Sequence, residues 1–404
     1  MTYYLTLSPR DPIIARDGRP FGVGQGHRMR SVDWPYPSVL AGSLRTLLGK
    51  MAGGEFVSNM VHALKEIEVA GPLPLLNNQL YFPAPKDLML WEAEQAMDPR
   101  KKRKVMTLRP MSRGDGQKIC DLPDGLFPVG VTQDVKPAKA PAFWSNLQMC
   151  RWLMNPSGEG FEAPPEKAAL ESGYFDTPER DERTHVKIDP AMGASEESLL
   201  FMTVGLDLSS RDSAAEVALA ARIEARNGFV KHLESLNTCH PLGGERRLIH
   251  WRTEHSQAWN CRSDLVETLR SARQVRLILA TPAVFKDGWK PGWLDERLEG
   301  CPPGADVRLK LVGACVDRWK PISGWSLEMV DERGKPRKPG PKEVRRLVPA
   351  GSVYFFDVVH GSAATLAEKF WLRAVSDEGQ DRRDGFGLAL WGIWNNANQA
   401  KEES

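Results

Sequence analysis

Leu40, Leu44, Leu47 and Leu48 recur at helical spacing downstream of the strand-like run Tyr3 to Leu7. The chain therefore opens with a strand, a long loop and an amphipathic helix. Ser38 stands where an N-cap is expected and Gly49 where a C′ glycine is. Residues 50–84 read as mixed helix and loop, closing on Pro83 and Pro85. From about Lys86 to Asp176 prolines, glycines and charges interrupt one another, the pattern of an insertion projecting from a folded core. Within it Phe143, Leu147, Cys150 and Met154 mark one short helix. Two strands follow, at 184–189 and 198–208, the second reading as largely buried. Ser213 with Glu216 forms a capping box opening an alanine-rich helix to about Asn227. A Gly-Gly turn inside residues 241–251 then leads into another strand.

The second half repeats that order. Residues 275–285 predict a strand, 292–298 a degenerate helix, and 307–316 an alternating strand with Val307, Leu309, Leu311 and Cys315 on one face. Residues 335–346 form a proline-rich basic loop or hairpin tip, 352–359 a strand, and 363–374 a helix. A turn at 384–387 enters the last strand. The predicted class is α+β: two tandem ferredoxin-like (RRM-like) βαββαβ domains, 1–260 and 261–404. The first carries a long thumb-like insertion at about 86–176.

Composition alters this picture little. With 404 residues, 41% hydrophobic and 26% charged, the chain is ordinary globular protein. Its net charge of +2 sets up no global field, so any polyanion site must be a local patch. Such patches exist: residues 100–118 hold eight Lys/Arg against one Asp, and 335–346 hold six against one Glu. The opening MTYYLTL lacks the features of a signal peptide, and no run of about 18 apolar residues occurs. Six scattered cysteines without CxxC spacing suit a reducing compartment, so a cytoplasmic location is expected.

Three glycine-containing basic turns carry the candidate chemistry. The first holds Arg16, Arg19, His27, Arg28 and Arg30 around Gly22, Gly24 and Gly26; the second is 242–247, the third 382–387. Glycines bare backbone N–H groups to a phosphate chain and arginines supply the counter-charge. Paired sheets could bring all three to one end, with Phe21, Trp251 and Phe386 as stacking surfaces for bases. For Trp251, inside a strand, core packing is the better reading. The run from Pro99 to Val105 is either a solvated charge run or a further nucleic-acid contact. Other chemistry fits poorly. His27 stands where GxGxxG needs its third glycine, no Walker lysine pattern exists, and no serine sits in GxSxG. The spacing of Cys239, His240, His250, His255 and Cys261 matches no common zinc pattern, so neither metal nor cofactor is expected.

On these turns rests a resemblance. Residues 16–22 (RDGRPFG), Pro37-Ser38 leading to Gly42-Ser43-Leu44-Arg45, and Glu182-Arg183 with Val186, Ile188 and Asp189 before Leu200-Phe201 stand in order with 242–246 (LGGER) and 384–387 (DGFG). Together they resemble the RAMP superfamily of CRISPR proteins, and more narrowly the family of the third subunit of the type III-B (Cmr) effector complex. The resemblance implies a non-catalytic RNA-binding subunit that holds the 5′ repeat-derived tag of the crRNA in antiviral defence. It also implies docking beside a large polymerase/cyclase-like subunit at the foot of the RAMP backbone filament, with target RNA met only indirectly. The RNA contacts it implies lie in three groups. The first is Arg16, Arg19, Phe21, Gly22, His27, Arg28 and Arg30, with Ser38 and Arg45 on the helix. The second is Lys101, Lys102, Arg103 and Lys104, with Arg183. The third is Gly243, Gly244, Glu245, Arg246 and Arg247, with Arg382, Arg383, Gly385, Phe386 and Gly387. The alternative is a metal-independent endoribonuclease of the same fold that processes CRISPR precursor RNA, with His27 as acid or base. A purely structural linker that never touches RNA is a third possibility.

Overall fold

The computed structural model describes residues 1–16, 27–29, 31–93, 103–111, 121–131, 134–168, 170–209, 217–326 and 340–395. In chain order the first half runs β1 (Thr2–Pro9), α1 (Pro37–Met51), α2 (Ser58–Lys65), β2 (Glu68–Leu76), β3 (Gln79–Pro83), β4 (Phe143–Ser145), α3 (Asn146–Leu153) and β5 (Tyr174–Phe175). It continues with β6 (Glu179–Ile188), β7 (Ser195–Asp207), β8 (Ala218–Glu224), α4 (Val230–Glu234), β9 (Asn237–Pro241) and β10 (Leu248–Glu254). Eight of these strands form one antiparallel sheet in the order β5-β4-β3-β2-β8-β1-β10-β9. The second half comprises α5 (Ser263–Arg270), β11 (Gln274–Leu279), β12 (Arg308–Cys315), β13 (Val353–His360), α6 (Ala363–Phe370), α7 (Gly379–Asp384) and β14 (Ala389–Ile393). Its sheet has the order β12-β13-β11-β14, with the two-residue strand Glu299–Gly300 at the β12 edge. The molecule is mixed α and β, with mostly antiparallel sheets and few helices.

The first sheet is covered on both faces. Leu40, Leu44 and Leu48 of α1 pack with Leu5, Leu7, Leu219, Ala221 and Ile223 on one side. On the other, Leu73, Leu75, Ala218 and Ala220 join the core built by β11 to β14. Period-two alternation along β8 thus sends alternate residues into two different cores. This corrects the helix expected to run to Asn227. Alanine favours helix, but here central pairing with β1 and β2 and burial on both faces outweigh a propensity of tenths of a kcal/mol per residue. The expected cap, Ser213 and Glu216, lies outside the described residues.

Further differences have local causes. Glu68–Leu76 is a strand despite Pro72 and Pro74, because its pairing with β8 shifts register between Ala220 and Arg222. That irregularity accommodates a residue with no N–H, and the Pro72 carbonyl accepts the Trp34 indole N–H at 2.9 Å instead. α1 runs through Gly49 to Met51, and its N-cap is Tyr36, so Ser38 sits inside the first turn. No helix forms at 292–298: the Asp295 carboxylate accepts the N–H groups of Arg297 (2.8 Å) and Glu299 (2.9 Å), and Leu298 turns left-handed.

The segment 86–176, expected as a projecting thumb, is divided: Leu88–Glu92 and Arg103–Thr107 pair as a separate two-stranded hairpin, while other described parts join the core. β4 and β5 extend the main sheet, and the face of α3 bearing Met149, Trp152 and Leu153 is fully buried, leaving Leu147 partly exposed. Asp87 accepts from Arg276 of β11 at 2.5 Å and from the Trp152 indole at 2.9 Å, all three inside the core. The element with exposed apolar side chains at Val186, Ile188 and Leu200 is instead the β6–β7 hairpin. Among the residues of β7 whose burial is described, 203–206 are buried, fewer than expected.

Candidate nucleic-acid interface

The chain leaving β1 is stitched to the Gly-Gly turn. The Asp11 carboxylate accepts the Leu248 N–H at 2.9 Å, and Ile13 exchanges backbone hydrogen bonds with Leu206 at 2.9 and 2.7 Å. Ile14 forms a parallel bridge with Gly243, and its carbonyl accepts the Gly244 N–H at 2.7 Å. Gly243 has φ +79°, and a Cβ there would collide with the Ile14 carbonyl, so glycine is required on both counts. Glu245 and Arg246 follow in the left-handed region at φ 55° and 51°, both exposed.

The first basic loop is closed at its base. Arg16 bridges Ser31, and the Ala15 carbonyl accepts both the Val32 N–H and the Ser31 hydroxyl at 2.9 Å. His27–Arg28 pair in parallel with Phe201–Met202, which seats the return limb of the loop on the hairpin. The side chains of His27 and Arg28 lie outside the described residues, as do Arg19, Phe21, Gly22 and Arg30, and, in the second basic stretch, Lys101 and Lys102.

The third turn reaches the same place by its backbone but not by its charges. Phe386 is fully buried in a cluster with Ala15, Val32 and Tyr36, so it packs against the first loop and offers no stacking surface. Gly385 and Gly387 are buried with it. Arg382 donates to the carbonyls of Ser376 (2.7 Å) and Asp377 (2.5 Å), while Arg383 pairs with Glu66 at 3.3 Å. Arg45 meets Asp384 at 2.5 Å and donates to the Ile67 carbonyl at 2.9 Å, which makes it a clamp between the halves. Asp381 pairs with Arg345 at 2.8 Å, yet burial raises its pKa above the usual carboxylate range.

Other expected contacts divide by burial and partner. Trp251 is core, its indole donating to the His240 carbonyl at 3.1 Å. Arg103 donates to the carbonyls of Pro164 (2.7 Å) and Lys139 (2.5 Å), whereas Lys104 beside it is exposed. Arg183 is exposed and pairs with Asp181 at 2.7 Å. Arg247 is half-buried and Ser38 lies on α1.

Two features escaped the sequence reading. Asp33, just past the first loop, holds Arg180 of the hairpin at 2.5 Å and Lys320 of the second half at 3.3 Å. Beside it opens a cleft of about 600 Å³ lined by Trp34, Lys86, Trp319 and several prolines. Trp319 is half-exposed and lies under the guanidinium of Arg346, 5.1 Å from the ring centre. The sequence signal was a tryptophan near the 335–346 basic run, but nothing local shows that residues 319 and 346 meet. Among the described residues no group of three His, Cys, Asp or Glu is placed to hold a metal ion, and no helix is long and apolar enough to cross a membrane.

The family model described as CRISPR-associated protein (Cas_Cmr3) matches residues 5–394. No curated protein matches the chain by sequence. Among solved structures, a chain of the type III-B Cmr-beta complex bound to cognate target RNA and AMPPnP is 14% identical. That match covers 87% of this chain and 86% of the other, with a TM-score of 0.43. A chain of the Csm3-Csm4 subcomplex of the type III-A interference complex is 13% identical, covering 98% of this chain and 100% of the other, with a TM-score of 0.40.

Proposed function

Because the chain belongs to the Cas_Cmr3 family, CRISPR-associated subunits of type III effector complexes, we propose that it is the non-catalytic subunit that holds the 5′ repeat-derived tag of the crRNA. In this role it joins the large polymerase/cyclase-like subunit to the backbone filament of a type III-B complex. The observation that carries the reading is the junction of Ile14 with Gly243 and Gly244, which fastens the first basic loop to the Gly-Gly turn. Arg16 and Arg246 thereby belong to one exposed patch, with Arg28 on the return limb of the loop. A single-stranded tag needs arginines for its phosphates, and this patch supplies exposed ones. We further read each half as a ferredoxin-like unit, 1–260 and 261–404. The support is a shared spatial order: β2-β8-β1-β10 at the centre of the first sheet and β12-β13-β11-β14 in the second, each set running second, third, first, fourth in chain order. In the second half, turns replace the first crossover helix.

The test is fluorescence anisotropy of the purified chain with a labelled 5′-tag RNA across a salt series. Wild type is expected to bind the tag more tightly than a scrambled RNA of equal length, and Arg16→Ala with Arg246→Ala to weaken it. Equal affinity for both RNAs would remove the tag from the proposal. Site-specific cleavage of repeat RNA that disappears in His27→Ala would replace the non-catalytic role with an endoribonuclease.

A further inference from the structure

A second gathering of guanidinium groups lies on the seam between the halves. Arg222 of β8, Arg373 after α6, and Arg382 and Arg383 of α7 line a cleft of about 330 Å³, in which Glu68 and Glu224 are the lining carboxylates. The acids do not balance the bases. Arg373 meets Glu224 at 2.5 Å and Glu68 at 3.9 Å, and Arg222 shares the same Glu224 at 3.8 Å while donating to the Leu372 carbonyl at 2.9 Å. The bonds from Arg382 to carbonyl oxygens orient its charge without cancelling it. Arg222 is nine-tenths buried. Desolvation, and then the neighbouring Arg373, disfavour its charged form. Glu66 pairs with Arg383 at 3.3 Å from beside the lining, which leaves one positive charge in excess, on apolar walls that include Val69, Leu372 and Leu388, in a cleft that favours a compact anion.

We propose that this seam binds an oligophosphate, either free pyrophosphate or the phosphate tail of a nucleoside triphosphate. Planar guanidinium forks suit phosphate oxygens, and four of them converge here. The volume is at the small end of ligand sites, which fits a short phosphate chain better than an RNA strand. Both halves contribute arginines, so an occupant would tie them together and raise the melting temperature by mass action. This inference does not rest on tag binding.

Calorimetric titration of the full chain with pyrophosphate, and separately with ATP, tests it, each paired with thermal melts in sodium chloride of equal ionic strength. Saturable one-site binding of pyrophosphate is expected, with a raised melting temperature and affinity about tenfold weaker in Arg373→Ala and in Arg383→Ala. Both residues are partly exposed, so truncation should leave the fold intact, and an unchanged melting temperature of each variant without ligand checks this. If ATP binds with the same dependence on these arginines, a nucleotide tail is the source; if pyrophosphate alone binds, the ligand is a free oligophosphate. Absence of saturable binding by either, or a Kd unchanged in both variants, overturns the proposal.

Discussion

The Gly-Gly turn at 242–247 and the turn at 382–387 look alike in sequence, each setting an arginine pair and a glycine-containing turn ahead of a strand, yet the molecule uses them in opposite ways. Both depend on a glycine at positive φ, Gly243 at +79° and Gly385 at +94°, pressed against a neighbouring backbone carbonyl. At the first turn the arginine after the glycines is displayed to solvent. At the second, the pair is bonded to carbonyls and to Glu66, the adjacent Asp384 is clamped by Arg45, and Phe386 is sealed in the core. A shared backbone device therefore says little about function. What separates an interface from an interior lock is which long-range partners reach the charges.

The largest expected effect breaks the lock. Arg45→Ala leaves Asp384 in a mostly buried setting with the Gln380 amide but without its cation, and should cost about 3 kcal/mol of stability in denaturant melts. Arg246→Ala, in the exposed turn, should stay within about 0.5 kcal/mol of wild type. Equal losses would abolish the contrast between the turns.

The exposed turn should show itself in RNA binding instead. Arg246→Ala and Arg16→Ala are each expected to weaken tag binding and to lower the slope of log K against log salt by about 0.7, the value for one single-strand phosphate contact. Arg45→Ala, once corrected for its folded fraction, should leave that slope unchanged. The same division is expected inside the basic stretch. Arg103→Ala should lose about 1 kcal/mol because it leaves the carbonyl of buried Pro164 without its donor, while Lys104→Ala should melt like wild type.

The smallest effect concerns Asp381 beside the buried turn. Its folded pKa is raised, burial outweighing Arg345, so the native state binds this proton more readily than the unfolded chain does. Its contribution to stability is present in full below the ordinary carboxylate range and is lost as pH rises through the folded pKa. Relative to Asp381→Asn, wild type should therefore gain stability on going from pH 7 to pH 4, as read from urea midpoints. A gain in the other direction would show that the ion pair to Arg345 dominates.

How much of this was legible in the sequence depended on the range of the cause. The strands of the second half announce themselves by alternation, as at Val307, Leu309 and Leu311, because one buried face imposes period two locally. The turns announce themselves because steric demand at Gly243 and Gly385 is met by a single residue type. β8 was hidden, since seven residues rich in alanine read as helix until two cores and two neighbouring strands are supplied from elsewhere. The 86–176 segment was hidden for the same reason: Asp87 and Arg276 lie 189 positions apart, and only their meeting turns a loose-looking stretch into core. For the candidate interface, the positions of the basic turns could be read directly. The partners that draw Arg45, Arg382 and Arg383 away from the exposed turns could not, because each is contributed by a distant segment or by carbonyl oxygens that have no letter in the sequence.

The place of β1 carries a consequence for the making of the protein. Leu5 lies between Ala221 and Thr253, so β1 is made more than two hundred residues before the first of its sheet neighbours, β8, and further still ahead of the second, β10. Until then its apolar face and both its edges need shelter, and closure of the sheet must come late and all at once. A nascent chain halted short of residue 254 should thus stay protease-sensitive near its amino terminus, whatever has already formed behind it.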